Sequence, residues 1–160
     1  MKREKYEARR LDATSYQFFS EGPRGKIEIR VIFTFDRDRF CNLCFGVWNQ
    51  EFGEIDDLVE VRNGDMDRVL TTVGQVTIDF LVNNPGAYVF ATGSSASRTR
   101  KYQMGINQNL AYIRERHQVL GFIAHKFSET NDHPEMSEFS GEWSVFQKGV
   151  NYDGFLIYVK

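Results

Sequence analysis

Apolar and polar positions alternate most regularly between Lys26 and Phe35. Ile27, Ile29, Val31, Phe33 and Phe35 fall on one face; Lys26, Glu28, Arg30 and Thr34 fall on the other, with Ile32 among them. Such period-two alternation predicts a strand with one buried and one wet face. Upstream, Tyr16-Gln17-Phe18-Phe19 is a short strand candidate, and Ser20-Glu21-Gly22-Pro23-Arg24-Gly25 reads as the turn between them. Downstream, Asp36-Arg37-Asp38-Arg39 predicts a polar turn and Phe40 to Trp48 the return strand. After a turn at Asn49 to Gly53, Ile55 to Val61 is a weaker, acidic strand. The first third of the chain thus predicts an antiparallel meander.

The period then changes. Met66, Val69, Leu70, Val73, Val76, Phe80 and Leu81 recur at three- and four-residue spacing. That predicts an amphipathic helix of about five turns, with Asp65 as its N-cap and Asn83-Asn84-Pro85-Gly86 as its stop. Ala87 to Thr92 is an apolar strand. A second helix is predicted from about Ser97 to His117, with Tyr102, Ile106, Leu110, Ile113 and His117 as its inner stripe. Gly105 inside it costs roughly 1 kcal/mol against alanine. Val119 to Lys126, Glu142 to Gln147 and Gly154 to Val159 predict three more strands, with a polar loop from Phe127 to Ser140. Strands on both sides of two helices predict an α+β fold, a largely antiparallel sheet with both helices on one face. A length of 160 residues predicts one domain over residues 1–160, with residues 1–12 as a charged lead-in.

Composition narrows the class. A hydrophobic share of 41% with 26% charged residues is that of an ordinary soluble globular protein. A formal net charge of −2 gives no global attraction to nucleic acid or to an anionic membrane, so any basic site must be local. No window approaches the ~20 apolar residues of a membrane helix. The charged N-terminus has no apolar run behind it, so we expect a cytoplasmic protein with reduced cysteines and no membrane partner.

The strongest candidate for chemistry is the stretch Tyr88 to Met104, read as a strand, a small-residue turn and a helix start. A helix start offers unpaired N–H groups and partial positive charge. Ser94, Ser95 and Ser97 add hydroxyls, and Arg98, Arg100 and Lys101 add cations. Arginine forks suit phosphate oxygens. Cations at a helix N-terminus are locally unfavourable, which points to an anionic partner. The glycine and lysine spacing of a Walker A loop is absent. Arg24, Lys26 and Arg30 form a second basic patch. Tyr16, Phe18, Phe45 or Trp48 would complete a stacking surface for single strands if they reach a wet face. A chain with 14% aromatics must bury most of them, so the core is their expected place.

Other groups read as structural. Cys41-Asn42-Leu43-Cys44 lies on a predicted strand, where positions three apart face opposite sides, so the thiols can share neither a disulfide nor a metal. Glu51, Glu54, Asp56, Asp57 and Glu60 read as a solvated edge that discourages strand addition. His117, His125 and His133 lack a hydrolase signature around them. No metal and no cofactor is expected.

Four runs are familiar: Tyr16 to Ile27 (YQFFSEGPRGKI), Phe45-Gly46-Val47-Trp48, Gly93 to Ile106 (GSSASRTRKYQMGI) and Val150 to Phe155 (VNYDGF). Together they resemble a family of small, uncharacterised bacterial proteins, common in Bacteroidota, that carries no assigned function. The similarity runs from about residue 14 to the end. It implies a bacterial cytoplasmic protein and supplies no catalytic residues. In layout alone the chain is similar to single-stranded nucleic-acid-binding folds of the PUR or Whirly type, a curved antiparallel sheet with helices behind it. The leading expectation is therefore a non-enzymatic nucleic-acid-binding or regulatory protein, with single-stranded nucleic acid on the Ser/Arg turn. The alternatives are a small toxin-like ribonuclease and an antitoxin-like module that binds a small protein partner; a homodimer is left open.

Overall fold

The computed structural model describes residues 4–56, 61–125 and 140–160. Its strands are β1 (Arg9–Arg10), β2 (Ser15–Gly22), β3 (Gly25–Arg37), β4 (Phe40–Asn49) and β5 (Glu54–Asp56), followed by helix α1 (Met66–Asn83). Then come β6 (Tyr88–Ala91), α2 (Ala96–Arg114), β7 (His117–Ala124), β8 (Gly141–Val145) and β9 (Gly154–Val159). The fold is α+β, as the strand and helix patterns predict, and its helices pack against the sheet.

The strands form one sheet in the order β1-β2-β3-β4-β6-β9-β7-β8, with β5 attached to β4. The β2–β3 hairpin closes on the pair Gly22–Gly25 around Pro23-Arg24. Gly25 has φ +87°, a left-handed conformation that glycine adopts without strain. The buried face of β3 carries Ile29, Val31 and Phe33, and β4 adds Cys41, Leu43 and Phe45. Phe35, at the splayed end of β3 beside a register shift, stays exposed although its ring comes within 6.0 Å of Phe80. Cys41 is buried and Cys44 only half-buried, on opposite faces, so the C-x-x-C forms no joint site.

Both helices cover that buried face. Phe80 of α1 stacks on Phe33 at 4.0 Å. Ile106, Leu110 and Ile113 of α2 are buried. Gly105 has a packing reason: a Cβ there would lie 3.4 Å from the Cβ of Leu70, so its absence lets α2 approach α1 closely. The pairing of β4 with β6 is parallel, and α1 is the crossover between them. It joins the meander β1–β4 to a second antiparallel group, β6-β9-β7-β8.

Two local expectations need correction, the cap at Asp65 and the end of α2. Asp65 precedes α1, and its carbonyl accepts from Val69 N–H at 3.0 Å, but its side chain makes no cap bond. The carboxylate is turned toward β2 and the N-terminal segment instead, accepting from Tyr6 Oη at 2.5 Å and Ser20 Oγ at 2.6 Å. Within the exposed N-terminal segment, Tyr6 is anchored to the fold. Tyr6 is buried, its N–H donates to Thr72 Oγ1 at 2.9 Å, and its ring carries the guanidinium of Arg68 at 3.9 Å. Helix α2 stops at Arg114, and His117 is the buried first residue of β7. The 117 ring nitrogen Nδ1 sits 3.2 Å from the carbonyl of Ile113, which supports a neutral ring donating there. Lys160 Nζ donates to the carbonyl of Arg114 at 2.5 Å, so the C-terminus satisfies the helix end. Asp57, Glu60, His133 and most of the 127–140 loop lie outside the described residues.

Two outcomes check this packing. Asp65→Ala leaves the buried Ser20 hydroxyl without its acceptor and the Tyr6 hydroxyl with only the Glu21 carbonyl at 3.2 Å, so it should cost about 2–4 kcal/mol in urea unfolding. A loss near the ~1 kcal/mol of an ordinary N-cap would contradict the network. Burial is the main force holding His117 below its ordinary value of 6.5, with the Ile113 hydrogen bond pulling the other way. On acidification the unfolded chain therefore takes up the proton first. This contribution is full above about 6.5 and is lost as pH falls toward the depressed value. The drop in urea midpoint on going from neutral pH to about 5.5 should shrink in His117→Gln; an equal drop would count against it.

Candidate anion-binding site

The candidate site lies where the pairing of β6 with β4 ends. The register of β6 on β4 ends at the pair Leu43–Ala91, whereas β4 continues and meets β5 only from Val47 onward. Among the described residues no strand pairs with Cys44, Phe45 or Gly46 on that edge. The chain turns at Thr92 to Ser95 and enters α2, whose first turns stand over the gap. Tyr102 Oη donates to the carbonyl of Leu43 at 3.2 Å, and its ring meets Phe45 edge-on at 5.2 Å.

The turn is held by a small set of bonds. Ser95 caps α2, its Oγ accepting from Arg98 N–H at 3.2 Å. Thr99 Oγ1 accepts from Gly93 N–H at 2.9 Å and donates to the carbonyl of Ser95 at 3.1 Å. A Cβ on Gly93 would lie 2.5 Å from Thr99 N, so only glycine lets the strand end press against the helix start.

A cavity of about 360 Å³ fills the gap. Arg98, Lys101, Ser94 and Thr92 line it on the helix side, and Asn42, Cys44 and Gly46 on the β4 side. Phe90 and Tyr102 add aromatic walls. Arg98, Lys101 and Tyr102 fall at i, i+3 and i+4 on α2 and so share one helix face. A Cβ on Gly46 would lie 3.8 Å from Arg98 Nη1, so the guanidinium reaches across the sheet at that point. The same residue is paired with Arg30 of β3, which puts a second cation next to the opening. Arg30 stacks on Trp48 at 4.0 Å and pairs with Glu28 at 2.6 Å.

The remaining expected residues divide. Arg100 is exposed and lines a neighbouring cleft of about 390 Å³ with Gln103, Asn151 and Asp153; Ser95 lies there too, and Ser94 borders both spaces. Ser97 is exposed at the helix start. Lys26 lies 5.6 Å over the Phe19 ring and 3.9 Å from Glu21, and Arg24 sits in the hairpin turn with its N–H bonded to Asn63 Oδ1. Arg24 and Lys26 thus stand apart from the cavity at the far end of the meander. Of the aromatics named as stacking candidates, Tyr16, Phe18 and Phe45 are core and Trp48 is half-buried under Arg30. The sequence reading had Thr99 among the nearby hydroxyls and Phe90 and Thr92 inside its candidate stretch, but it missed Asn42 and Gly46. Gly46 inside a strand was the available signal, since a strand glycine marks close approach by other groups.

Neither described histidine lines the cavity, and no group of three or more His, Cys, Asp or Glu side chains suited to a metal occurs among the described residues. No helix among them is long and apolar enough to cross a membrane. Fold and site together define an α+β protein with a cationic cavity at the end of a parallel strand pair. The chain belongs to the family described as "Family of unknown function (DUF6934)", whose model matches residues 2–160. Neither a curated protein nor a solved structure matches it.

The turn bonds make a measurable claim. Thr99→Val keeps the side-chain shape but removes the acceptor of Gly93 N–H, and should cost about 1–3 kcal/mol. Hydrogen exchange at Gly93 should speed up in that variant; unchanged exchange would contradict the bond.

Proposed function

We propose that this protein binds single-stranded nucleic acid without cleaving it, holding a phosphate in the cavity at the start of α2. One observation carries the reading. Arg98 spans the gap in the sheet to lie over Gly46, beside Arg30 and in the same cavity as Lys101. A local cluster of cations is what a chain of net charge −2 needs to attract a polyanion. Ser94 and Thr92 supply hydroxyls to phosphate oxygens. Arg24 and Lys26 extend positive charge along the meander, and Arg100 contributes from the neighbouring cleft at longer range. The setting is a bacterial cytoplasm, and the sheet with helices behind it follows the PUR and Whirly layout at the level of analogy.

The ribonuclease alternative needs a proton-transfer group in the cavity. Tyr102 is the one proton-bearing aromatic there among the described residues, and its hydroxyl is engaged with the Leu43 carbonyl. That favours binding over cleavage.

Fluorescence anisotropy with labelled single-stranded and duplex oligonucleotides, at low and at physiological salt, tests the reading. Binding should prefer the single strand, weaken with salt and leave the oligonucleotide intact on a gel. Arg98→Ala with Lys101→Ala should weaken it across all sequences and reduce the salt slope by about 0.7 per lost phosphate contact. Arg100→Ala should do much less. Absence of binding even at low salt, or cleavage lost in Arg98→Ala, would overturn the proposal.

A further inference from the structure

We infer that the sheet face opposite α1 and α2 is a base-stacking platform, running from the cavity across β6 toward β8; this rests on the phosphate reading above. Both described helices cover the opposite face, so among the described residues no helix lies over the side chains that alternate outward from β4, β6, β9, β7 and β8. Those outward positions are aromatic to an unusual degree. Register sets Phe40 beside Tyr88 and Tyr88 beside Tyr158, with ring centroids 5.1 Å apart in each pair. One pleat further on, Phe90 meets Trp143 edge-on at 6.0 Å. A Cβ on the intervening Gly154 would lie 3.1 Å from the Phe90 ring, so the missing side chain is what makes room for it. Phe40 is 48% exposed and Trp143 44% exposed.

Two features select unpaired bases as the occupant. Phe90 is a wall of the cavity that holds Arg98 and Lys101, so a base carried by the nucleotide whose phosphate sits there meets an aromatic edge at once. The outward positions of β4, β6, β9, β7 and β8 also carry no ionised side chain, while Arg98 stands beside them and Arg30, ion-paired with Glu28, lies on the next strand. Neutral aromatic surface flanked by cations is the division of labour of single-strand recognition, where rings take the bases and cations take the phosphates. A duplex hides its base faces and gains nothing from such a platform.

The test compares an oligothymidylate with an abasic strand of the same length, titrated into the full chain and into Phe90→Ala and Trp143→Ala. Wild type should bind the abasic strand roughly 5- to 100-fold more weakly, and each variant should lose a similar factor for thymidylate. Trp143 is on an exposed edge strand, so its variant decides the matter even if Phe90→Ala fails to fold. Both tryptophans of the chain border this face, so thymidylate should also quench the intrinsic emission. Equal affinity for the two strands, with Arg98→Ala weakening both, would overturn the platform and leave the phosphate site standing. No binding of either strand would remove both. A sedimenting dimer whose dissociation by dilution exposes Trp143 would overturn the inference too, by assigning the face to a second copy.

Discussion

The structure depends on where the parallel pairing of β4 with β6 stops. Four residue pairs, Phe40–Tyr88 to Leu43–Ala91, join two otherwise antiparallel groups of strands. Beyond the last of these pairs, no described strand lies beside Cys44, Phe45 and Gly46 on that edge of β4. Buried backbone groups need partners, and α2 supplies one at this edge. Helix α2 does this with Tyr102, whose hydroxyl takes the Leu43 carbonyl, and with the long side chains of Arg98 and Lys101. The cavity lies beyond the last β4–β6 pair, and Arg98 and Lys101 line it because one face of α2 is turned toward it.

Small residues make the arrangement sterically feasible. Gly93 lets the strand end touch the helix start, Gly46 leaves room for Ile55 and the Arg98 guanidinium, and Gly105 lets α2 settle on α1. At the other end of the sheet the fold relies on a polar knot. Tyr6, Ser20 and Asp65 tie the N-terminal segment and β2 to the start of α1, and Asn63 Nδ2 adds bonds to Ser20 Oγ and the Gly25 carbonyl. Burial, with the Asp65 bond next, holds the Tyr6 phenol above its usual range, so the hydroxyl remains a donor at neutral pH.

Much of this was legible in the sequence because periodicity is local. The alternation of Ile27 to Phe35 and the helical spacing of Met66 to Leu81 follow from how each residue meets the core, and both elements are where the pattern puts them. What was not legible depends on distant partners. Asp65 has the composition of an N-cap, yet two hydroxyls from residues 6 and 20 compete for its carboxylate and win. His117 continues the apolar stripe of α2 by spacing, but the chain has already left the helix and buries it as a strand residue. The turn at Gly93 to Lys101 announced itself through small residues and cations. That Arg98 and Lys101 would meet Gly46 and Phe90, with Arg100 on the other side, needed the parallel register that no local pattern encodes. The outward row of Phe40, Tyr88 and Tyr158 was hidden for the same reason, since aromatics in strands read as core until the sheet order is known.

The central claim is that the end of β6 and the start of α2 form an anion site continuous with the open sheet face. Amide chemical-shift mapping during titration with a short oligothymidylate tests it most directly. The account predicts the largest, saturable shifts at Gly93, Ser94, Arg98 and Lys101, spreading to Phe90 and its β9 neighbours. Shifts confined to the acidic strand β5 or to the Tyr6–Asp65 end of the molecule, with the α2 N-terminus silent, would contradict it.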